Sequence, residues 1–549
     1  MKKLLFFLLF SPDLFAQSKP DSLEFKVDAL FNKYYNTHTP GCAVGIVRNA
    51  KVIFRKGYGM ANLEYDIPIS PSSIFDIASV SKQFAGFAIS TLIQQGKISA
   101  DDDIHKWLPD VPQFGKMITF NHLLHHTSGL RDWPGALHLA GWRWDETFSF
   151  EDIMRMVKFQ KDLDFEPGSR FSYSNTGFNL LAAIVEKVSG RSFREWTDSA
   201  IFKPLGMNSS HFRDDPYIII KNLAYSYHWE NSNLKKELNA LTAYGSSSLF
   251  TSVDDLCKWV IHIQQGIDSK DPVFMRMLEE GALNNGEKVH YAYGFEFSDD
   301  HGLKFIQHTG GWAGYRTLIS IYPDQKVSFI LLSNVNNFDL NGNSEKIANI
   351  LLHDLYKTQK DESVDRVKDL PSVKVDSMLM KKYAGTYQLG PGWSVTLSLE
   401  NGLLMTQANG EDKFPMAAKS DSVFWIDAYG ASMTFVKDPT GEVNLLRYKS
   451  IQAKRIIPFI PTLNQLKQYP GVYYSEEVKT EYKVDVVGSK LFMHHMRLGD
   501  IELTPDPTME DQFAGDMGTI HFIKNANQQI TGLTVSQGRI KNIRFDKKS

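Results

Sequence analysis

The stretch IFDIASVSKQF, residues 74–84, combines a serine and a lysine three positions apart with an apolar helical pattern that continues to Gln95. This spacing places Ser79 at or near the N-terminus of the predicted helix and Lys82 one turn further on the same face. A neighbouring base turns a serine hydroxyl into a nucleophile, and a lysine with a depressed pKa can be that base. The stretch therefore predicts a nucleophilic serine. The alternative is that Ser79 is only a helix cap, and Ser232 with Lys235 shows the same spacing in a polar segment.

A second motif, YSN at residues 173–175, follows a Glu-Pro-Gly turn and precedes the helical pattern Phe178 to Val188. A phenol beside Lys82 can relay a proton to a leaving group, and the Asn175 amide can hold the lysine or a substrate. Helix capping by Ser174 or Asn175 is the alternative. The triplet YYN at residues 34–36 shows that such a motif also arises by chance.

A third motif, HTGG at residues 308–311, ends a predicted strand. Its glycines allow a substrate backbone to lie against the strand edge, as an added strand does. The backbone N–H of Gly311 can form an oxyanion hole with that of Ser79. A structural histidine in a glycine-rich turn is the alternative.

The three motifs, in this order, resemble those of the serine β-lactamase and penicillin-binding-protein superfamily. Four further segments resemble the class C β-lactamase and D-alanyl-D-alanine carboxypeptidase branch. They are PGCAV (40–44), KGYG (56–59), HTSGL (126–130) and LGM (205–207). The similarity covers roughly residues 25 to 356.

The resemblance implies a role for each residue of the three motifs, without a metal or another cofactor. Ser79 is the nucleophile, Lys82 its base and Tyr173 the proton relay. The groups that contact substrate are Asn175, His308, Thr309 and Gly310, and the oxyanion donors are the backbone N–H groups of Ser79 and Gly311. A zinc site formed by the histidines at 122, 125 and 126 is an alternative that their match to the HTSGL turn disfavours.

The substrate class follows from a departure within the third motif. Class C β-lactamases carry lysine where this chain has His308, whereas histidine is more usual in the related D-aminopeptidases and esterases. A histidine is only marginally charged at neutral pH, which disfavours efficient penicillin hydrolysis. We expect a D-aminopeptidase or DD-peptidase-like enzyme acting on small molecules or short peptides. Esterase or weak β-lactamase activity is the alternative within this chemistry, and a non-catalytic penicillin- or peptide-binding protein is the alternative of another class.

The composition of the 549 residues is that of a globular protein, with 42% hydrophobic and 22% charged residues. A net charge of −3 gives no basic footprint for nucleic acid. Residues 1–16 combine Lys2 and Lys3 with a short apolar run, which predicts a signal peptide and export to a periplasm or the medium. The run is too short to span a bilayer. Cys42 and Cys257 lie in apolar patterns typical of core residues, and a disulfide between them is the alternative.

The chain is expected to contain three folded units. Residues 22–356 mix strands and helices and predict an α+β, β-lactamase-like domain with helices against an antiparallel sheet. A polar linker at 357–372 is followed by strand-rich segments at 373–458 and 459–549. These repeat each other, because KYAGTY (382–387) recurs as QYPGVY (468–473) and TFVK (434–437) as HFIK (521–524). We therefore expect two small all-β, barrel-like modules, as in the D-aminopeptidases that the chain resembles, with one larger β-domain as the alternative.

Overall fold

The computed structural model describes residues 22–34, 38–357, 367–390, 392–409, 411–438 and 442–548. The predicted signal peptide and most of the predicted linker lie outside these ranges. The N-terminal domain (residues 22–357) is built on a seven-stranded antiparallel sheet in the order β3-β4-β5-β6-β7-β1-β2. Its strands are β1 Cys42–Arg48, β2 Lys51–Tyr58, β3 Tyr291–Ala292, β4 Phe295–Asp300, β5 Leu303–Trp312, β6 Tyr315–Tyr322 and β7 Val327–Ser333.

Helices cover both faces of this sheet, and the two sides form separate apolar cores. The helices of the domain are α1 Leu23–Phe31, α2 Lys82–Gln94, α3 Phe120–Leu124, α4 Trp133–Leu139, α5 Phe150–Phe159, α6 Asn175–Ser189, α7 Phe193–Thr197, α8 Lys203–Leu205, α9 Val253–Asp268, α10 Pro272–Met277 and α11 Leu340–Leu352. Short strands complete it: Met60–Asn62 pairs with Ile67–Pro68, Tyr227–Glu230 with Asn233–Lys236, Gly281–Ala282 with Lys288–Val289, and Leu249–Thr251 with both Phe75–Asp76 and His211–Phe212.

The predicted α+β class is confirmed. The last helix of the domain, α11, begins at Leu340 and ends at Leu352. The Asp339 side chain caps it by accepting a hydrogen bond from the Gly342 N–H. Cys42 and Cys257 are both buried and unpaired, so the structure contains no disulfide between them.

The first barrel is a nine-stranded sheet that is nearly closed. Helix α12 Ser377–Tyr383 precedes the strands β8 Gly385–Gly390, β9 Trp393–Glu400, β10 Leu403–Ala408, β11 Phe414–Pro415, β12 Ala417–Ala418, β13 Val423–Ile426, β14 Ala431–Val436, β15 Leu445–Tyr448 and β16 Ile451–Ile456. The two edge strands, β11 and β12, are separated in the chain only by Met416, which brings the ends of the sheet together.

The second barrel is a closed eight-stranded barrel. Helix α13 Leu463–Leu466 precedes the strands β17 Gly471–Ser475, β18 Thr480–Val487, β19 Lys490–His495, β20 Gly499–Pro505, β21 Gln512–Gly515, β22 Gly518–Lys524, β23 Ile530–Gln537 and β24 Ile540–Lys547. Closure pairs β17 with β24 and leaves no free sheet edge in this module.

The sequence repeat has the same structural role in both barrels. The Tyr387 hydroxyl donates to the carbonyl of Tyr383 at 2.9 Å, and the Tyr473 hydroxyl donates to that of Tyr469 at 2.5 Å. In each pair, the tyrosine whose carbonyl accepts this bond packs on the phenylalanine of the second repeated segment, TFVK or HFIK. Ring centroids lie 3.8 Å apart for Tyr383 with Phe435, and 4.5 Å apart for Tyr469 with Phe522. The prediction of two barrel-like modules is confirmed, and their matching contacts are those of a duplicated unit.

The second barrel packs closely on the N-terminal domain, and its apolar interior belongs to the same continuous core. The Tyr482 hydroxyl donates to the Leu139 carbonyl at 2.8 Å. Gly141 has φ +94°, and a Cβ atom there would lie 2.2 Å from the His495 ring, so only glycine permits this approach. The first barrel has an apolar core of its own.

A buried charge cluster joins these two units. The Arg131 guanidinium is paired with Asp164 at 2.5 Å and with Glu477 of the second barrel, and the backbone N–H of Lys541 donates to Asp164 at 2.8 Å. All three side chains are at most 4% exposed. Burial raises the pKa of Asp164 to about 6, and the positive charge of Arg131 opposes that shift.

Removal of one member of this cluster is expected to destabilise the protein strongly. Glu477→Ala removes one of the two carboxylate partners of the buried Arg131 charge, and we expect the free energy of unfolding to fall by about 3 kcal/mol. Thermal and denaturant unfolding measure the change. The adjacent Glu476 pairs with Lys479 at the surface, so Glu476→Ala is the matched control and should hardly shift the melting temperature. Equal shifts for the two variants would contradict a buried docking cluster.

Candidate active site

Ser79 lies in a turn of 3₁₀ helix, Ala78–Ser81, immediately before α2. Ala78 has φ +46°, a left-handed conformation that non-glycine residues rarely adopt. The turn is held by Asp76, whose carboxylate accepts from the Ala78 N–H at 2.8 Å and from the Asn239 side chain at 2.8 Å. Ser79 is partly exposed, whereas Ser81 is buried and accepts from the Leu249 N–H at 3.2 Å. Of these two serines, Ser79 is therefore the one open to a substrate.

The Lys82 amine is fully buried beside Ser79 and lies within hydrogen-bond distance of three oxygen atoms. These are the Ser79 hydroxyl at 3.1 Å, the Asn175 side-chain oxygen at 2.8 Å and the Ser246 carbonyl at 2.8 Å. Burial lowers the pKa of Lys82 well below 10.5, the negative charge of Asp132 opposes this shift, and the positive charge of Arg539 adds to it. A neutral amine in contact with a serine hydroxyl can accept the hydroxyl proton.

The pH dependence of turnover should reflect this lysine. A base acts only when unprotonated, so kcat/KM should be constant above the pKa of Lys82 and fall about tenfold per pH unit below it. Because that pKa is lowered, the midpoint of the fall should lie well below 10.5. Initial rates between pH 5 and 10 measure the profile. A midpoint near 10.5, or a rate that rises as pH falls, would contradict a buried neutral amine as the base.

The Tyr173 side chain lies over Lys82, with the amine 4.8 Å from the ring centroid. Burial raises the pKa of Tyr173, while a hydrogen bond to Ser79 opposes that change. The phenol is therefore neutral at physiological pH and can donate its proton. The ring packs on His126, with centroids 4.2 Å apart, and the backbone N–H of Ser174 donates to the His126 Nδ1 at 3.1 Å.

Asn175 is held between Lys82 and a buried aspartate, Asp132. Its side-chain amide donates to the two Asp132 carboxylate oxygens at 3.1 and 3.2 Å, and its backbone N–H donates to one of them at 2.8 Å. These bonds fix the amide so that its oxygen faces the lysine. Arg539 of the second barrel donates to Oδ2 of Asp132 at 3.0 Å.

Strand β5 forms the opposite wall and carries the third motif. A Cβ atom at Gly310 would lie 2.3 Å from the Ile77 carbonyl oxygen, so glycine is needed for the serine turn to pack on this strand. Thr309 and Gly311 line the pocket that contains Ser79, and Gly311 is exposed. This arrangement leaves the Gly311 backbone accessible from the pocket.

His308 also lines the pocket, but both of its ring nitrogens bond within the protein. Nδ1 lies 2.6 Å from the Thr309 carbonyl, which makes it the protonated nitrogen, and Nε2 accepts from the Tyr291 hydroxyl at 2.9 Å. Burial lowers the pKa of His308 to about 3, and the charge of Lys82 adds to the effect. The imidazole is therefore neutral at physiological pH.

The pocket has a volume of about 580 Å³ and is largely aromatic around the polar groups. The rings at its walls are Trp133, Trp144, Phe171, Tyr173 and Trp312. The indoles of Trp133 and Trp312 lie 5.8 Å apart between centroids. A pocket of this size and character suits a small acyl or aminoacyl group next to Ser79.

Comparisons with known proteins show the family of this chain and several relatives. The Beta-lactamase family model matches residues 27–352, which is more than half of the chain. The chain belongs to this family. It is 28% identical to Penicillin-binding protein 4* of Bacillus subtilis (strain 168), across 77% of this chain and 96% of the relative. It is 27% identical to a D-aminopeptidase of Gluconobacter oxydans (strain 621H), across 54% of this chain and 56% of that protein.

Two solved structures share the fold of this chain. The octameric penicillin-binding protein homologue of Pyrococcus abyssi aligns with a TM-score of 0.55 at 24% identity, over 79% of this chain and all of that chain. The D-amino acid amidase of Ochrobactrum anthropi SV3 aligns with a TM-score of 0.52 at 19% identity, over 60% of this chain and 98% of its own.

Members of the beta-lactamase family are generally serine hydrolases. The second serine-x-x-lysine of the chain does not line the Ser79 pocket. Ser232 lies in an exposed hairpin, where Lys235 pairs with Glu230. Within the described ranges, no cluster of histidine, cysteine, aspartate and glutamate is arranged to hold a metal ion. In the same ranges, no helix is long and apolar enough to cross a membrane.

The sequence did not indicate three polar groups that are linked to Lys82 and Asn175: the Ser246 carbonyl, Asp132 and Arg539. A backbone carbonyl has no residue signature. Asp132 follows the HTSGL turn of the beta-lactamase family by two positions, which was the one available signal. Arg539 is 407 positions from its partner Asp132, and no local pattern marks it.

Proposed function

We propose that this chain is an exported serine hydrolase that cleaves amide or ester bonds through an acyl-enzyme on Ser79. The observation that carries the proposal is the buried Lys82 amine, 3.1 Å from the Ser79 hydroxyl and with a lowered pKa. A lysine that merely filled a structural role would be expected to pair with a carboxylate, and this one has a serine, an amide oxygen and a carbonyl as hydrogen-bond partners.

The reaction divides into two steps on the same groups. In acylation, the Ser79 oxygen attacks the substrate carbonyl while Lys82 takes its proton, and the backbone N–H groups of Ser79 and Gly311 stabilise the oxyanion. The tetrahedral intermediate collapses and the leaving amine or alcohol departs with a proton relayed through Tyr173. In deacylation, water attacks the ester, the same groups accept and return its proton, and the free acid leaves.

D-amino-acid-containing peptides or amides are the first substrate class. The similarity to a D-aminopeptidase supports this class, and so does the neutral His308, which offers no positive charge to the carboxylate of a penicillin. Esterase and weak β-lactamase activity use the same chemistry and are the second candidates, because the aromatic pocket accepts acyl groups of several shapes.

A substrate panel tests the proposal. Purified protein is assayed with D-aminoacyl amides, their L-enantiomers, short acyl esters and nitrocefin. We expect the highest kcat/KM for a D-aminoacyl amide and the lowest for nitrocefin. Preference for L-enantiomers would overturn the D-specific assignment, and an absence of turnover across the panel would favour a non-catalytic binding protein.

Export is the second part of the proposal. It rests on the basic and apolar composition of residues 1–16, a segment that lies outside the described residues. Expression of the full chain followed by fractionation and N-terminal sequencing tests it. We expect a mature protein that begins shortly after residue 16, and an intact N-terminus on protein retained in the cytoplasm would contradict export.

A further inference from the structure

The second barrel contributes one side chain to the active site. Arg539 lies in the short turn between β23 and β24 and lines the same pocket as Ser79. The turn is held in place by the two residues that follow Arg539. Ile540 packs against α4 near Gly135, and the backbone N–H of Lys541 is bonded to Asp164 in the buried charge cluster. The position of the guanidinium is therefore fixed by docking of the whole barrel.

The guanidinium keeps free hydrogen-bond donors on the pocket side. One nitrogen donates to Asp132 at 3.0 Å, and the group stacks over the Tyr173 ring at 4.7 Å from its centroid. An arginine has five N–H donors, and among the described residues Arg539 has no other hydrogen-bond acceptor. Its side chain is 51% exposed, whereas that of Asp132 is 6% exposed. A ligand in the pocket therefore meets the cation and not its counter-ion.

Arg539 is also the one guanidinium among the residues that line the pocket, and a guanidinium carries a permanent positive charge. Lys82 is buried with a lowered pKa, and His308 is neutral for the same reason. Burial raises the pKa of Glu296, the acidic residue on the pocket wall. Of the residues that line the pocket, Arg539 is therefore the cationic partner for a substrate carboxylate, and His308 is not.

We propose that Arg539 binds a carboxylate of the substrate, so that the second barrel determines specificity for acidic substrates. The inference rests on the proposed function of the site and names its substrate class more closely: peptides or acyl compounds with a carboxylate on the Asp132 side of Ser79. A planar guanidinium forms two parallel hydrogen bonds with a carboxylate, which a neutral amide cannot reproduce. The tyrosine ring beneath Arg539 holds it in the orientation for that contact.

Ligand binding to the Ser79→Ala protein tests this assignment without any need for turnover. Two matched pairs are titrated, D-alanyl-D-alanine against its C-terminal amide and adipamic acid against adipamide. The signal is the fluorescence of Trp133, Trp144 and Trp312 in the pocket. The pairs place the carboxylate on the leaving-group side and on the acyl side of the amide, respectively. The variants Arg539→Gln and Arg539→Lys are compared in the same background.

We expect the carboxylate member of at least one pair to bind about ten- to one-hundred-fold more tightly, in line with a hydrogen-bonded charge pair. Arg539→Gln should abolish that preference, and Arg539→Lys should keep part of it. Arg544, on the outer face of β24, pairs with Asp546 at the surface, so Arg544→Gln is the matched control and should keep the full preference. Melting temperatures of all variants show whether the barrel remains docked.

Two results would overturn the inference: no carboxylate preference in either pair, or a preference that persists in Arg539→Gln. Failure of the proposed function is distinguishable, because it appears as a native protein that forms no covalent adduct at Ser79. The titrations do not depend on that reaction.

Discussion

Replacing Ser79 by alanine is expected to lower kcat/KM by about 10⁴-fold or more, the scale found when a hydrolase loses its nucleophile. The change removes the oxygen that attacks the substrate and leaves the pocket otherwise intact. Since Ser79 is partly exposed and its backbone is fixed by the turn around Asp76, the variant should fold and melt like the native protein. Progress curves with the best substrate of the panel measure the loss.

A matched control is provided by the second serine-x-x-lysine of the chain. Ser232→Ala alters the exposed hairpin in which Lys235 pairs with Glu230, and it should retain native activity. Substantial turnover by Ser79→Ala, or a comparable loss in Ser232→Ala, would contradict the assignment of the nucleophile.

Lys82→Met is expected to lower kcat/KM by about 10²- to 10⁴-fold, the contribution of a general base. Methionine fills a similar volume but accepts no proton. The Asn175 oxygen and the Ser246 carbonyl lose their donor in this variant, so some loss of stability accompanies the loss of activity. Single-turnover rates at saturating substrate separate the chemical step from binding.

A permanently charged variant separates the base from a purely electrostatic lysine. Lys82→Arg places a positive charge at this position that cannot be removed by deprotonation, so it should be as inactive as Lys82→Met at every pH. Activity of Lys82→Arg near the native value would show that a cation, and not a neutral amine, is what the reaction needs. The pH profile of the native enzyme should agree, because its acid limb is attributed to the same group.

The local sequence was sufficient to predict the elements that carry the chemistry. The apolar pattern after Ser79 indicated α2, which runs from Lys82 to Gln94, and the alternation around His308 indicated β5. The three motifs are far apart in the chain, and their assembly was expected only from resemblance to a family. The structure brings the first two motifs within hydrogen-bond distance, since Lys82 and Asn175 are bonded across 93 positions. It places the third motif on the wall of the same pocket.

The remainder of the site depends on packing between distant segments. Asp132 and Arg539 meet because the second barrel docks on α4 through Tyr482 and the Arg131 cluster. No periodicity or composition marks such a contact, since each residue is an ordinary charged side chain in its own segment. The neutral state of His308 could not be predicted from the sequence either, because it follows from burial and from the hydrogen bond of the Tyr291 hydroxyl. The sequence indicated two β-modules but not that one of them reaches the active site.

The central claim, a nucleophilic Ser79 activated by Lys82, is tested most directly by intact-mass analysis of the native protein, Ser79→Ala and Ser232→Ala after treatment with a fluorophosphonate. The account predicts one covalent adduct on the native protein and on Ser232→Ala, located by peptide mapping at Ser79, and none on Ser79→Ala. An unlabelled native protein, or an adduct that persists in Ser79→Ala, would contradict it.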